Sequence, residues 1–281
     1  MKNSVQELVV ISGKGGTGKT SIVASFAALA RRAVLADCDV DAADLHLILA
    51  PEIKRREAFR SGHRAAIRQS DCAQCGECAR LCRFDAVRQL ERRDGTVTYA
   101  INPVACEGCG VCVRFCPQQA IDFPERTCGE WLVSDTRFGP LVHAKLGVAA
   151  ENSGKLVSVV RSEARNVAKT RGLDLVLIDG SPGIGCPVIA SLTGASLALV
   201  VTEPTLSGEH DLQRVLQLAE HFGIPVMVCV NKWDLNPSMT QRIEQTAAAH
   251  GAMVARRVRY DTAVTSAQIR EQSAVDRKSV V

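Results

Sequence analysis

The chain has almost no charge imbalance. Its 34 Lys and Arg face 30 Asp and Glu, leaving +4 over 281 residues. That excess is too modest to argue for a nucleic-acid partner. It also lacks any apolar run long enough to cross a bilayer, so no integral membrane segment is expected. The start, Met1 to Glu7, is polar and carries no leader-like apolar stretch, which predicts a cytoplasmic protein. The length is enough to bury a large core or to hold two domains. Cysteine is what the chain has in quantity, with twelve. In a reducing compartment so many thiols point to metal-bound thiolates before disulfides.

Eight of the twelve fall into two matched runs. The first is Cys72-x-x-Cys75-x-x-Cys78-x-x-x-Cys82. The second is Cys106-x-x-Cys109-x-x-Cys112-x-x-x-Cys116-Pro117. This is the spacing of a bacterial two-cluster ferredoxin, in which each run gives three thiolates to one iron–sulfur cluster and its fourth to the other. Cys72, Cys75, Cys78 and Cys116 are therefore assigned to a first 4Fe-4S cluster. Cys106, Cys109, Cys112 and Cys82 are assigned to a second. Gly76, Gly108 and Gly110 allow tight turns around them. Structural zinc is the bland alternative, but zinc usually takes paired C-x-x-C pieces. One departure is Arg83, which stands where the second run has Pro117.

Upstream, Leu8 to Ser12 reads as a short buried strand. It leads into Gly13, Lys14, Gly15, Gly16, Thr17, Gly18, Lys19 and Thr20, then an apolar helical stretch to about Arg31. Strand, glycine loop, Lys-Thr and helix make a P-loop. Its backbone N–H groups and helix N-terminus suit a phosphate chain. Lys19 is expected on the β- and γ-phosphates, and the Thr20 hydroxyl on Mg2+. Hydrolysis also needs an acid at a strand end and an oriented water. Asp179 ends the apolar run Leu175 to Ile178 and is expected to hold the magnesium, usually through water. Asp39 is assigned to water orientation or to the magnesium surroundings. Asp37 and Asp41 fit turn capping as well.

The rest of the chain alternates strand and helix. Ala33–Asp37, Leu173–Asp179, Ala195–Thr202 and Val226–Asn231 read as strands, with a weaker one over Val254–Tyr260. Lys155–Arg171, Gly208–Phe222 and Ser238–His250 read as helices. The expected fold is α/β, a P-loop NTPase with a mostly parallel sheet flanked by helices. A two-cluster ferredoxin domain over 71–123, with a strand over Val97–Ile101, interrupts it and leaves 1–70 and 124–281 as its two parts. Lys54, Arg55, Arg56, Arg60, Arg64 and Arg68 read as a solvated helix face or, less simply, as a docking patch for an acidic electron carrier.

The loop from Gly13 to Thr20 resembles the deviant P-loop of the MinD, ParA and Mrp ATPases and of the nitrogenase iron protein. The extra lysine is Lys14. Asp37-Cys-Asp39 and Asp179-x-x-Pro182-Gly183 look like that family's two switch regions. Arg137 to His143, Glu151 to Lys155 and Asp179 to Pro187 are similar to signatures of MinD-superfamily ATPases with an inserted ferredoxin domain. The resemblance implies ATP/ADP and Mg2+ as ligands. It also implies a homodimer, or a heterodimer with a related ATPase, in which Lys14 reaches the partner's phosphates. Asn231-Lys232-Trp233-Asp234 looks like the guanine-reading N-K-x-D. In the MinD-like class an Asn at this strand end contacts adenine, so Asn231 and Asp234 are both base-reading candidates, with ATP favoured over GTP.

Cys38, Cys128, Cys186 and Cys229 lie outside the runs. Cys229 reads as core. Cys186 follows Asp179 at an offset similar to a cluster ligand of the nitrogenase iron protein. Paired with Cys128, it would offer two thiols per subunit to a third 4Fe-4S cluster shared across a dimer; two ordinary loop thiols is the alternative. Three functions stay open. The first is nucleotide-gated electron transfer to a redox partner. The second is an iron–sulfur or metal-cluster assembly or carrier ATPase acting on a cluster-receiving protein. The third is a MinD-like positioning switch with a redox sensor, against which the stretch from Ser273 lacks a convincing amphipathic helix.

Overall fold

The computed structural model describes residues 4–30, 32–147 and 152–276. Arg31, Glu151 and the tail beyond 276 lie outside the described residues, so the expected first-helix end, one end of a family signature and part of the tail reading fall there. Contacts divide the chain into two compact units. One comprises Met1–Glu57, Glu130–Leu146 and Asn152–Val281; the other comprises Ala58–Gly129 and Gly147–Glu151.

Along the chain, β1 (Gln6–Ser12) runs through the glycine loop into α1 (Lys19–Leu29), followed by β2 (Ala33–Asp37), α2 (Leu45–Leu49) and β3 (Glu52–His63). Next come β4 (Ala66–Ile67), α3 (Glu77–Leu81), β5 (Val87–Glu91), β6 (Val97–Ile101), α4 (Val111–Arg114) and β7 (Ile121–Asp122). The chain continues through β8 (Glu125–Thr136), β9 (Gly139–Leu146), α5 (Ser153–Arg171), β10 (Leu175–Pro182) and α6 (Cys186–Leu192). It closes with β11 (Leu197–Thr202), α7 (Leu206–His221), β12 (Val226–Val230), α8 (Pro237–Ala249), β13 (Met253–Val254) and α9 (Thr262–Gln268).

The first unit is built on a sheet ordered β13-β12-β11-β1-β10-β2-β9-β8-β3. Every pairing from β13 to β9 is parallel. The central strands β11, β1, β10 and β2 are near-continuous aliphatic runs, as strands covered on both faces read. Val10, Leu35, Leu177 and Leu199 meet Val23, Ala24 and Ala27 of α1 and Leu45, Ile48 and Leu49 of α2 in one buried cluster. Val9, Ala36, Ile178 and Val200 alternate to the opposite face and are fully buried as well. The register sets Val10, Asp179 and Asp37 at one level on neighbouring strands, at the carboxyl edge. Ligands bind at that edge in open parallel sheets.

Three expectations are corrected. The basic stretch from Lys54 is mostly strand β3, not a helix face. It lies at the end of the sheet order, where Lys and Arg block further pairing; Arg56 also pairs with Glu130 and Arg55 with Glu163. The span Arg137–His143 is mostly β9, which no strand assignment covered. The last strand is only Met253–Val254, and Val258 adds an isolated bridge to Asn231. The aliphatic pattern there is too short to hold a longer pairing.

In the second unit β4 pairs antiparallel with β7, and β5 with β6. The cysteine-rich loops and the short helices α3 and α4 complete it.

Candidate nucleotide site and cysteine-lined cavities

The glycine loop is held open by backbone geometry. Gly16 and Gly18 are left-handed, at φ 81° and 87°. A Cβ on Gly18 would meet Asn231 Nδ2 at 2.3 Å, so only glycine fits there. Asn231 Nδ2 donates to the Thr17 carbonyl at 2.8 Å, and its Oδ1 accepts from the Lys232 N–H. Both polar ends of Asn231 are thus occupied in bracing the loop. Behind it lies a cavity of about 500 Å³, walled by Gly15 to Thr20, Asp39, Pro182, Lys232 and the segment Val258–Asp261.

Lys19 is buried between two carboxylates, with Nζ 2.6 Å from Asp179 Oδ1 and 3.3 Å from Asp39 Oδ2. Burial alone would depress its pKa, but the attraction of Asp179 and Asp39 prevails and raises it. Burial raises the carboxyl pKa of Asp179 and of Asp39 against the pull of Lys19. Asp37 is held well above the usual range, by burial and then by the charge of Asp179. It accepts from the N–H groups of Asp39 and Leu45, so it shapes the loop instead of facing the cavity. The two loops beside the P-loop are tied together. Ser181 Oγ donates to the Cys38 carbonyl at 2.9 Å, and the Cys38 N–H donates to the Asp179 carbonyl at 2.8 Å.

Lys14 Nζ stands 2.6 Å from Glu203 Oε1 and donates to Ser207 Oγ at 3.1 Å. Lys232 Nζ reaches the other Glu203 oxygen at 3.3 Å. Burial would raise the Glu203 carboxyl, but the two lysines hold it below the usual range. Glu203 was missed in the sequence. Its position just past β11, at the ligand edge of the sheet, was the available signal. Asp234 does not wall the cavity; its Oδ1 accepts from the Tyr260 N–H at 2.8 Å. Its Oδ1 thereby orders the loop around Tyr260.

The residues fit a nucleotide and magnesium. Thr17 Oγ1 and Asp179 Oδ2 are buried with no hydrogen-bond partner. Such orphans beside a phosphate loop suit a hydrated cation and an anionic chain. Thr20 lines the same cavity.

In the second unit, Cys72, Cys75, Cys78 and Cys116 wall one small cavity. Cys82, Cys106, Cys109 and Cys112 wall another. All eight are free thiols. The Ala120 N–H donates to Cys116 Sγ and the Ala86 N–H to Cys82 Sγ, each at 3.3 Å. Burial and then the neighbouring Cys106 push the Cys112 thiol up to about 11, a crowding that a bound cation would relieve. Among the described residues no three His, Cys, Asp or Glu side chains converge on one ion position. Gly76, Gly108 and Gly110 are left-handed, and a Cβ on Gly108 would stand 2.2 Å from the His63 carbonyl oxygen.

Cys128 and Cys186 are placed differently from expectation, and Cys229 as expected. Cys128 is buried in β8, where its thiol donates to the Ser61 carbonyl at 3.1 Å. A thiol so enclosed cannot serve a cluster shared with another subunit. Cys186 is exposed and begins α6 instead of sitting in a loop. Cys229 is core.

Fold and site define a P-loop nucleotide-binding α/β protein. The chain belongs to the CbiA family, the CobQ/CobB/MinD/ParA nucleotide binding domain, matched over residues 8–275. Members of the MinD/ParA type are P-loop ATPases. The chain is 34% identical over 236 residues to the uncharacterized protein MJ0578 of Methanocaldococcus jannaschii, covering 83% of this chain and 80% of that one. It resembles the cell division ATPase MinD of Pyrococcus furiosus with a TM-score of 0.54 at 16% identity, over 99% of this chain and 92% of that one. It also resembles the septum site-determining protein MinD of Pyrococcus horikoshii, complexed with Mg-ADP. There the TM-score is 0.55 at 15% identity, over 98% and 89% of the chains. At those identities the likeness carries the fold. Among the described residues no helix is long and apolar enough to cross a membrane.

Proposed function

We propose that this protein is an ATP-hydrolysing switch that couples a nucleotide-driven change of dimer state to electron transfer through two 4Fe-4S clusters in a ferredoxin-like unit. The observation that carries the reading is the presence, in one chain, of a P-loop cavity and two cavities each walled by four thiols. A bound 4Fe-4S cluster supplies one-electron chemistry. The eight thiolates anchor every iron to the protein, which favours resident clusters over cargo. In the nucleotide site Lys19 compensates phosphate charge and Thr20 with Asp179 holds the magnesium. Asp39 orients water. ATP is favoured over GTP on the resemblance to the MinD-like class, with Asp234 outside the cavity wall. Lys14 acts in the partner's site once it leaves Glu203.

Anaerobic purification with iron analysis, EPR and redox titration, with and without nucleotide, tests the reading. About eight irons per chain, retained through gel filtration and titrating at potentials that respond to nucleotide, is the expected result. Iron that stays near zero when the protein is made with ample iron refutes it. Stoichiometric iron that passes to apo-acceptor proteins without redox cycling favours the carrier alternative.

A further inference from the structure

The two cysteine runs are a repeat offset by 34 residues, and the offset extends beyond the cysteines. Ile67 and Ala120 on the first cavity correspond to Ile101 and Ala86 on the second. The N–H bonds to Cys116 Sγ and Cys82 Sγ are equal in length. The halves differ in polarity at three matched lining positions; at one, Ala73 of the first cavity stands where the second has the carboxylate of Glu107, and at the other two the first is the more polar. The first cavity carries Tyr99 and Gln118. The second carries Ala65 and Phe84 at those places, with Phe123 as a further ring.

Tyr99 is 8% exposed. A Cβ on Gly76 would stand 2.7 Å from its hydroxyl oxygen, so that oxygen lies against the loop that carries Cys75 and Cys78. The Tyr99 carbonyl accepts from Gln69 Nε2, but its hydroxyl has no acceptor among the described residues. Tyr99 lines the thiol-walled cavity, so an O–H with no acceptor in the protein is placed to donate to a group bound there.

We infer that Tyr99, assisted by Gln118 at the rim, sets the first cluster site at a higher reduction potential than the second. The inference rests on the cluster reading above. Reduction adds one negative charge to a cluster. A hydrogen-bond donor to its sulfurs stabilises that charge, whereas an apolar ring or a carboxylate such as Glu107 on the second cavity does not. One electron therefore leaves the second cluster, which is oxidised, and enters the first, which is reduced. No proton or further reagent is needed. An electron received from a low-potential one-electron donor comes to rest among Cys72, Cys75, Cys78 and Cys116, which gives the unit an internal direction.

The test is an anaerobic, EPR-monitored dithionite titration of the full chain. The parent should show two separate midpoints. Tyr99→Phe keeps the ring and removes only the O–H, so it should lower the higher midpoint and leave the other in place. Phe84→Gln should raise the lower midpoint, and it decides the matter if Tyr99→Phe loses iron. A single wave in the parent, an unmoved higher midpoint in Tyr99→Phe, or a shift of the lower one instead would overturn the inference. Iron-free protein would remove the cluster reading itself, an outcome distinct from any of these.

Discussion

His143 shows how far one side chain's surroundings can move its chemistry. Its Nε2 is 2.9 Å from Ser134 Oγ, and its ring stacks on His46 with centroids 6.3 Å apart. Burial, then the nearby His46 and Arg56, hold its pKa down at about 4. The unfolded chain then binds the proton more tightly between pH 6.5 and 4, so stability is full above 6.5 and falls as the pH drops. We expect urea midpoints of the parent to report a loss of about 2 kcal/mol between pH 7.5 and 5 from this group. His143→Asn should flatten that part of the profile; an unchanged slope would show that His143 is not the source. At this scale Lys19 and Asp179 were legible because a fixed motif and a strand end announce them. Glu203 was not, because a single acid past a strand acquires meaning only when the register sets β11 beside β1. Of the two base-reading candidates, Asn231 lines the cavity while bracing the Thr17 carbonyl, and Asp234 stands outside it, accepting from the Tyr260 N–H. Sequence shows that such groups are polar, not which way they turn.

Among elements, the parallel strands were easy to read since continuous aliphatic runs have few other uses. β3 was not, because a row of arginines carries no period-two signal when most of one strand is exposed. The spacing predicts crossed cysteine sets, and the same groupings wall the two cavities. Cys82 follows α3 directly and shares its cavity with the distant Cys106, Cys109 and Cys112. Cys82→Ser should therefore damage the cluster of the second run while the set of its own run keeps its spectrum. Measured iron should fall from about eight toward four per chain. Loss confined to the cluster held by Cys72, Cys75 and Cys78 would refute the crossing.

For the whole molecule, the nucleotide unit is interrupted in sequence by the unit that holds the thiols, so both fold from one chain. The resting place of Lys14 on Glu203 and Ser207 leaves the lysine half-exposed and within its own subunit. Lys14→Ala should keep most nucleotide affinity but lose dimer formation, with turnover down roughly 100-fold or more, as for a charge donated in trans. Light scattering with a non-hydrolysable analogue and a phosphate-release assay check both halves. Normal dimers and normal turnover would exclude the trans role.

The position of Lys19 carries a last consequence. Its ammonium answers two acids, Asp179 and Asp39, so a triphosphate that drew the lysine away without a cation would strand both carboxylates. A divalent cation arriving with it restores the balance. The pocket then behaves as a two-key lock, indifferent to either key by itself, and the free chain is guarded against metal-free phosphates. Calorimetry with ADP in EDTA and then in magnesium reads this directly. Equal affinities in the two buffers would mean that the lock has only one key.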